Sequence, residues 1–179
     1  MGLVYHGIHK KLALRLQHEH HIKFFVETGT SVGTTAIWAA NHFDMVYTIE
    51  LNKRIYARTK ERHGDIPNIR FFQGDSATVL PSILVELSDV ALFWLDAHWS
   101  ADLAYKRPAI GECPLMGELA AIVADAKPHV VLIDDARQFT GRPPQPHLQE
   151  QWPTIDQITN VLSNYHIAIK DDVVVATRE

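Results

Sequence analysis

A single cysteine, Cys113, in a chain of 179 residues excludes an internal disulfide and leaves no cysteine spacing for a structural zinc site. Long apolar runs are missing too. No stretch approaches the roughly 20 residues of a membrane span, and no apolar core of a secretory leader is present. His6 stands where a myristoylation signal wants Ser or Thr. Basic charge is scarce. The 17 Lys and Arg against 21 Asp and Glu give a formal charge of −4, which argues against a surface that coats nucleic acid. The protein is expected in the cytoplasm, with neither nucleic acid nor membrane as partner. Internal repeats and low-complexity tracts are also lacking.

What is present suits one well-buried core: 46% of residues are hydrophobic and 21% charged. We expect a single domain over residues 1–179, with residues 1–22 as an N-terminal helical extension. Leu12, Ala13, Leu14 and Leu16 give residues 3–17 their helical spacing. Eleven histidines invite a metal site, yet His18, His20 and His21 lie beside Glu19 in a polar stretch and read as an exposed helix end.

The most informative run is Phe24-Phe25-Val26-Glu27-Thr28-Gly29-Thr30-Ser31-Val32-Gly33, an apolar strand with an acid at its junction with a small-residue turn. Gly29 and Gly33 allow close approach of a ligand to the backbone, and the helix that follows offers free N–H groups. The Gly29-x-x-x-Gly33 spacing is not the dinucleotide fingerprint and would also suit a plain βα turn. Glu50 adds to it. It ends the β-type run Val46-Tyr47-Thr48-Ile49 roughly twenty residues on, where a doubly wound fold places a carboxylate for a ribose diol. The pattern recurs, because Val90 to Leu95 ends in Asp96, and Val130 to Ile133 ends in Asp134 and Asp135. In an open parallel sheet these strand ends share one crevice.

Between these strands, Asn52 is expected to cap a helix over residues 53–63, and Asp75-Ser76 to cap one beginning at Ala77. Residues 97–114 and 137–153 are long irregular loops. The second, with Pro143, Pro144, Pro146 and Pro153, is expected to hold neither helix nor strand. Tyr105, Lys106, Arg107 and Arg137 are expected to face substrate. Trp152 is expected to pack its loop down. Thr154 caps a helix over residues 154–164, and residues 165–177 form a β-hairpin. The fold class is therefore α/β: a Rossmann-like, doubly wound, mostly parallel sheet ending in an antiparallel hairpin strand.

Together, Glu27-Thr28-Gly29-Thr30, Ile49-Glu50, Gly74-Asp75-Ser76, Leu95-Asp96-Ala97-His98 and Ile133-Asp134-Asp135 resemble the class I S-adenosylmethionine-dependent methyltransferases. More narrowly, the set resembles the metal-dependent small-molecule O-methyltransferases of the macrocin and catechol types. The resemblance spans nearly the whole chain, although Ser31 stands near the place of the family's third glycine. It implies that Glu27, Gly29, Thr30, Ser31 and Gly33 line the methionine part of S-adenosylmethionine. Glu50 would take the ribose hydroxyls, and Asp75 with Ser76 would meet the adenine. It further implies a divalent ion, Mg2+, held by Asp96, Asp134 and Asp135.

Oxygen-only ligation favours magnesium, and converging carboxylates are more stable around a cation. Adjacent strand residues face opposite ways, however, so Asp134 and Asp135 can share an ion only if the strand has already turned. Otherwise Asp135 caps a turn. Beside Asp96, His98 is the candidate base, with a group supporting the site and a plain surface histidine as alternatives. Trp99 is expected to shape the pocket floor. The expected function is Mg-assisted O-methylation of a polar small molecule such as a sugar, by a monomer or a homodimer. A nucleotide-binding oxidoreductase and a non-catalytic protein that keeps the fold are the alternatives.

Overall fold

A computed structural model of the chain describes residues 7–100 and 108–178. Tyr105, Lys106 and Arg107, expected at the substrate, lie outside the described residues. Seven strands form one sheet: β1 (Phe24–Thr28), β2 (Met45–Glu50), β3 (Ile69–Gln73), β4 (Ala91–Leu95), β5 (Val130–Ile133), β6 (His166–Lys170) and β7 (Val173–Thr177). Their order is β3-β2-β1-β4-β5-β7-β6. The pairs among β1 to β5 are parallel, whereas β7 runs antiparallel to both β5 and β6. The terminal hairpin thus inserts its second strand next to β5.

Helices cover both faces. Successive strand residues point to opposite sides, so Val26, Phe93, Leu95, Val131 and Ile133 join one buried cluster while Phe25, Leu92, Trp94, Val130 and Leu132 join another. The first cluster packs against α4 (Ser76–Glu86), α5 (Leu115–Ala124) and α7 (Ile155–Val161). The second packs against α1 (Lys10–Glu19) and α2 (Thr34–Ala40). Strands covered on both faces need continuous apolar runs, which is why the central ones lack polar alternation. Helix α3 (Lys53–His63) lies beside β2 and β3. Among the described residues no helix is long and apolar enough to cross a membrane.

Most helix starts follow from local chemistry. Asn52 accepts from the Arg54 and Ile55 N–H groups, and Asp75 from that of Ala77. Thr154 and Gln157 form a reciprocal capping box. Where the sequence excluded a helix, two short ones appear: α6 (Ala136–Thr140), which precedes the first proline of its loop, Pro143, and a single 3-10 turn at Gln149–Gln151, which fits between Pro146 and Pro153. Helix α7 stops at Val161, short of residue 164. Strand β1 runs on through Thr28, which places Glu27 inside the ladder rather than at its junction with the turn.

Gly29 has a left-handed φ of +91°, and a Cβ there would sit 2.3 Å from the Asp96 carbonyl oxygen. Gly29→Ala is expected to cost about 2 kcal/mol of stability. Urea unfolding measures this, and an unchanged midpoint would contradict the close packing of the β1 turn on the end of β4.

Candidate active site

The ladder continues one residue beyond several strands. Gly29 N–H donates to Ile49 O, Gly74 N–H to Glu50 O, Asp96 N–H to Thr28 O and Asp134 N–H to Leu95 O, at 2.9–3.1 Å. These bonds hold the turn residues in a row along one edge. On one side of that row lies a cavity of about 310 Å³, lined by Gly29, Glu50, Leu51, Gly74, Asp75, Ser76, Cys113 and Gly117 among others. Its size suits a nucleotide-like ligand.

Glu50 is held in place by two backbone donors: Oε2 accepts from Ser31 N–H at 2.9 Å and Oε1 from Asn52 N–H at 2.8 Å. Ser31 therefore shapes the site through its backbone. Gly33 caps α2 at a φ of +84°, against Thr59 of α3. Beneath the turn, Thr30 donates to Thr48 Oγ1 and Thr48 to Glu27 Oε2, both at 2.6 Å. Burial pushes Glu27 up to about 8, with Asp96 and Glu50 adding to the rise and Thr48 opposing it. Asp75 caps α4 and also accepts from Thr78 Oγ1. Of the residues expected at the cofactor, Gly29, Glu50, Asp75 and Ser76 line the cavity, and Glu27, Thr30, Ser31 and Gly33 are absent from its lining.

On the other side of Asp96 lies a charged chain. His98 Nε2 is 3.0 Å from Asp135 Oδ2, and its Nδ1 is 3.9 Å from Asp96 Oδ1. Asp135 Oδ1 meets Arg137 Nη1 at 2.7 Å, and Arg137 is also paired with Asp172 at the hairpin turn. Arg137, expected at the substrate, is thus engaged by two carboxylates. Strand β5 has indeed ended before Asp135, which is left-handed at a φ of +57°.

The pKa directions follow this arrangement. Burial lowers the His98 pKa, but hydrogen bonding to Asp135 and the charges of Asp96, Asp135 and Asp134 outweigh it and raise it overall. Burial pushes Asp96 up to about 6 and Asp134 to about 8. Asp135 is held low despite burial, by His98 and Arg137.

The magnesium site implied by the resemblance does not fit these side chains. Asp135 is engaged by an imidazole and a guanidinium, and Asp134 Oδ1 accepts from the Asp135 N–H at 2.8 Å. Among the described residues no three His, Cys, Asp or Glu side chains are arranged to hold an ion. His18 and Glu19 are exposed in the last turn of α1.

Sequence reasoning missed two buried acids. Glu112 accepts from Trp152 Nε1 at 2.7 Å, His147 Nδ1 at 3.1 Å and Leu148 N–H at 3.1 Å, which joins the loop before α5 to the loop after α6. Trp152 does anchor its loop, and its ring lies 5.2 Å from that of His98. Glu118 is 1% exposed in the first turn of α5. Its place on the apolar face, three residues after Leu115 and four before Ile122, was a usable signal. Glu112 had none.

No protein-family model matches the chain, and no curated protein matches it. Solved structures do. A Staphylococcus aureus protein assigned as a caffeoyl-CoA O-methyltransferase aligns with a TM-score of 0.67 at 13% identity, over 99% of this chain and 86% of its own. The O-methyltransferase TomG of Streptomyces achromogenes, solved with S-adenosylmethionine, gives 0.59 at 16% identity, over 99% and 82%. The amino pentose methyltransferase CalS10 of Micromonospora echinaspora gives 0.60 at 14%, over 95% and 89%. The chain has the class I methyltransferase fold. In this methyltransferase fold the cavity lies beside the first two parallel strands, and the charged chain at the ends of the next two.

Glu112→Ala would leave the buried Trp152 Nε1–H and the part-buried Leu148 N–H without their acceptor. Roughly 3 kcal/mol of destabilisation is expected, together with faster proteolysis within residues 141–153. Unfolding and limited digestion test both, and a protease-resistant loop at wild-type stability would refute this account of the knot.

Proposed function

We propose that this chain is an S-adenosylmethionine-dependent methyltransferase acting on a hydroxyl group of a polar small molecule. The observation that carries the reading is the fixed Glu50 carboxylate in a strand-end cavity of this fold. Ser76 Oγ, buried in the cavity wall without a hydrogen-bond partner, supports a ligand with polar atoms there. Glycine at position 29 leaves the backbone bare for its approach.

When bound, S-adenosylmethionine supplies a methyl group on a sulfonium sulfur. The chain then has to align the acceptor oxygen and take its proton. Asp135 is ionised and accepts from His98 Nε2, so the free lone pair of the ring is at Nδ1. That nitrogen and the Asp96 carboxyl are the groups that meet the acceptor hydroxyl. His98 Nδ1 takes the proton, Asp135 fixes the ring and its tautomer, and Arg137 with Asp172 fixes Asp135. No step is assigned to magnesium. The enzyme would act in the cytoplasm on a sugar-like acceptor, with a second copy of the chain as its candidate partner.

An oxidoreductase is disfavoured because β7 is reversed and inserted between β5 and β6, unlike a dehydrogenase sheet of parallel strands. Calorimetry with S-adenosylmethionine should show binding on the order of micromolar, weakened at least about tenfold by Glu50→Ala. Binding of NAD(H) in its place would overturn the reading. Because the raised His98 pKa must be passed before Nδ1 is free, the acidic limb of the pH-rate profile should lie above the ordinary imidazole value. Asp135→Asn should move it downward, and turnover should persist in EDTA. NMR titration of the His98 ring reads the same shift without an acceptor.

A further inference from the structure

This inference rests on the reading of the cavity as the S-adenosylmethionine pocket. Two buried polar atoms near it have no hydrogen-bond partner, Ser76 Oγ and Glu118 Oε1. Ser76 opens α4, is 4% exposed and lines the cavity, whereas Glu118 lies one residue beyond the lining residue Gly117. Gly117 brings them together. A Cβ at that position would lie 2.7 Å from the Ala77 Cβ, so the first turns of α4 and α5 touch where Ser76 and Glu118 stand. The Ser76 and Thr28 hydroxyls are close enough to influence Glu118, although no bond of normal geometry completes either unpaired atom.

A serine hydroxyl has one hydrogen, and its direction decides what the cavity offers. Beside an ionised carboxylate the hydrogen turns to the carboxylate and only lone pairs face the ligand. Beside a neutral carboxyl the order reverses. Burial pushes Glu118 up to about 7, against the lowering effects of Ser76, Thr28 and His98, so the neutral form is accessible near neutral pH.

We propose that Glu118 is a positioning residue for the purine half of the pocket: its neutral carboxyl donates to Ser76 Oγ and turns the hydroxyl hydrogen toward a ring nitrogen of bound adenine. Glu118 itself does not touch the ligand. An adenine nitrogen that accepts this hydrogen completes the valence of Ser76.

Calorimetric titration with S-adenosylhomocysteine tests this without any acceptor. Glu118→Leu should weaken binding about tenfold, and Glu118→Gln, whose amide can donate in place of the acid, by less than about threefold. Ser76→Ala should weaken binding by a similar factor, and adding Glu118→Leu to it should cost nothing more. Thermal melting of the ligand-free proteins checks that each is folded. Should Glu118→Leu not fold, the 1-deaza and 3-deaza analogues replace it: one of them must lose affinity for the wild type and not for Ser76→Ala. Wild-type affinity in Glu118→Leu, equal losses from Gln and Leu, or an undiminished loss in the Ser76→Ala background would overturn the proposal while leaving the cofactor reading intact. A wild-type protein that binds no S-adenosylhomocysteine would remove both.

Discussion

The backbone of the turn after β1 rests on the carbonyl of Asp96, and no side-chain atom fits between them. The two strands are neighbours at the centre of the sheet, and β1 is the point from which the order runs outward to β3 on one side and to β5 on the other. Such a reversal opens a crevice between chain segments that leave in opposite directions. Here the contact makes one wall common to two compartments. Gly29 faces the cavity, and the chain that continues from Asp96 carries His98 into the charged side. A shift of the turn would therefore move both halves at once.

Charge compensation governs the second compartment. Acids at neighbouring strand ends repel, and burial makes that repulsion stronger. The fold answers with alternation: Asp96, His98, Asp135, Arg137 and Asp172 follow one another as acid and base. Asp134 stands outside this series, with a backbone N–H on one oxygen, and burial together with the charges of Asp96 and Asp135 raises it to about 8. Glu112 is treated differently, since several neutral donors rather than one cation hold it.

The strand ends were legible in the sequence because each apolar run stops at an acid or a small residue, and period and punctuation are local signals. The caps Asn52, Asp75 and Thr154 were legible for the same reason. What could not be read depends on distance along the chain. An aspartate after a strand serves equally as metal ligand or turn residue, and only the fold brings His98 to Asp135 across 37 positions. Arg137 in a proline-rich loop looked free for substrate because one of its two carboxylate partners, Asp172, belongs to a turn 35 residues later, and the other, Asp135, was assigned to the metal. The short helix α6 escaped notice since the prolines that follow it dominated the reading of that segment. The order of the hairpin was also hidden, because two strands in sequence do not reveal which of them enters the sheet.

The inserted strand has a consequence for how the molecule comes into being. Until residues 173–177 have been synthesised, β5 has no neighbour on one side, although every parallel strand already exists. The turn that supplies Asp172 arrives in the same late segment, after the loop it must clamp. Vectorial synthesis thus yields first an open-edged parallel sheet in which Arg137 still lacks its Asp172 partner. Long-range closure of this kind is slow relative to local helix formation, so a ribosome-bound chain lacking that strand has every strand end that lines the cavity before it has the clamp on Arg137.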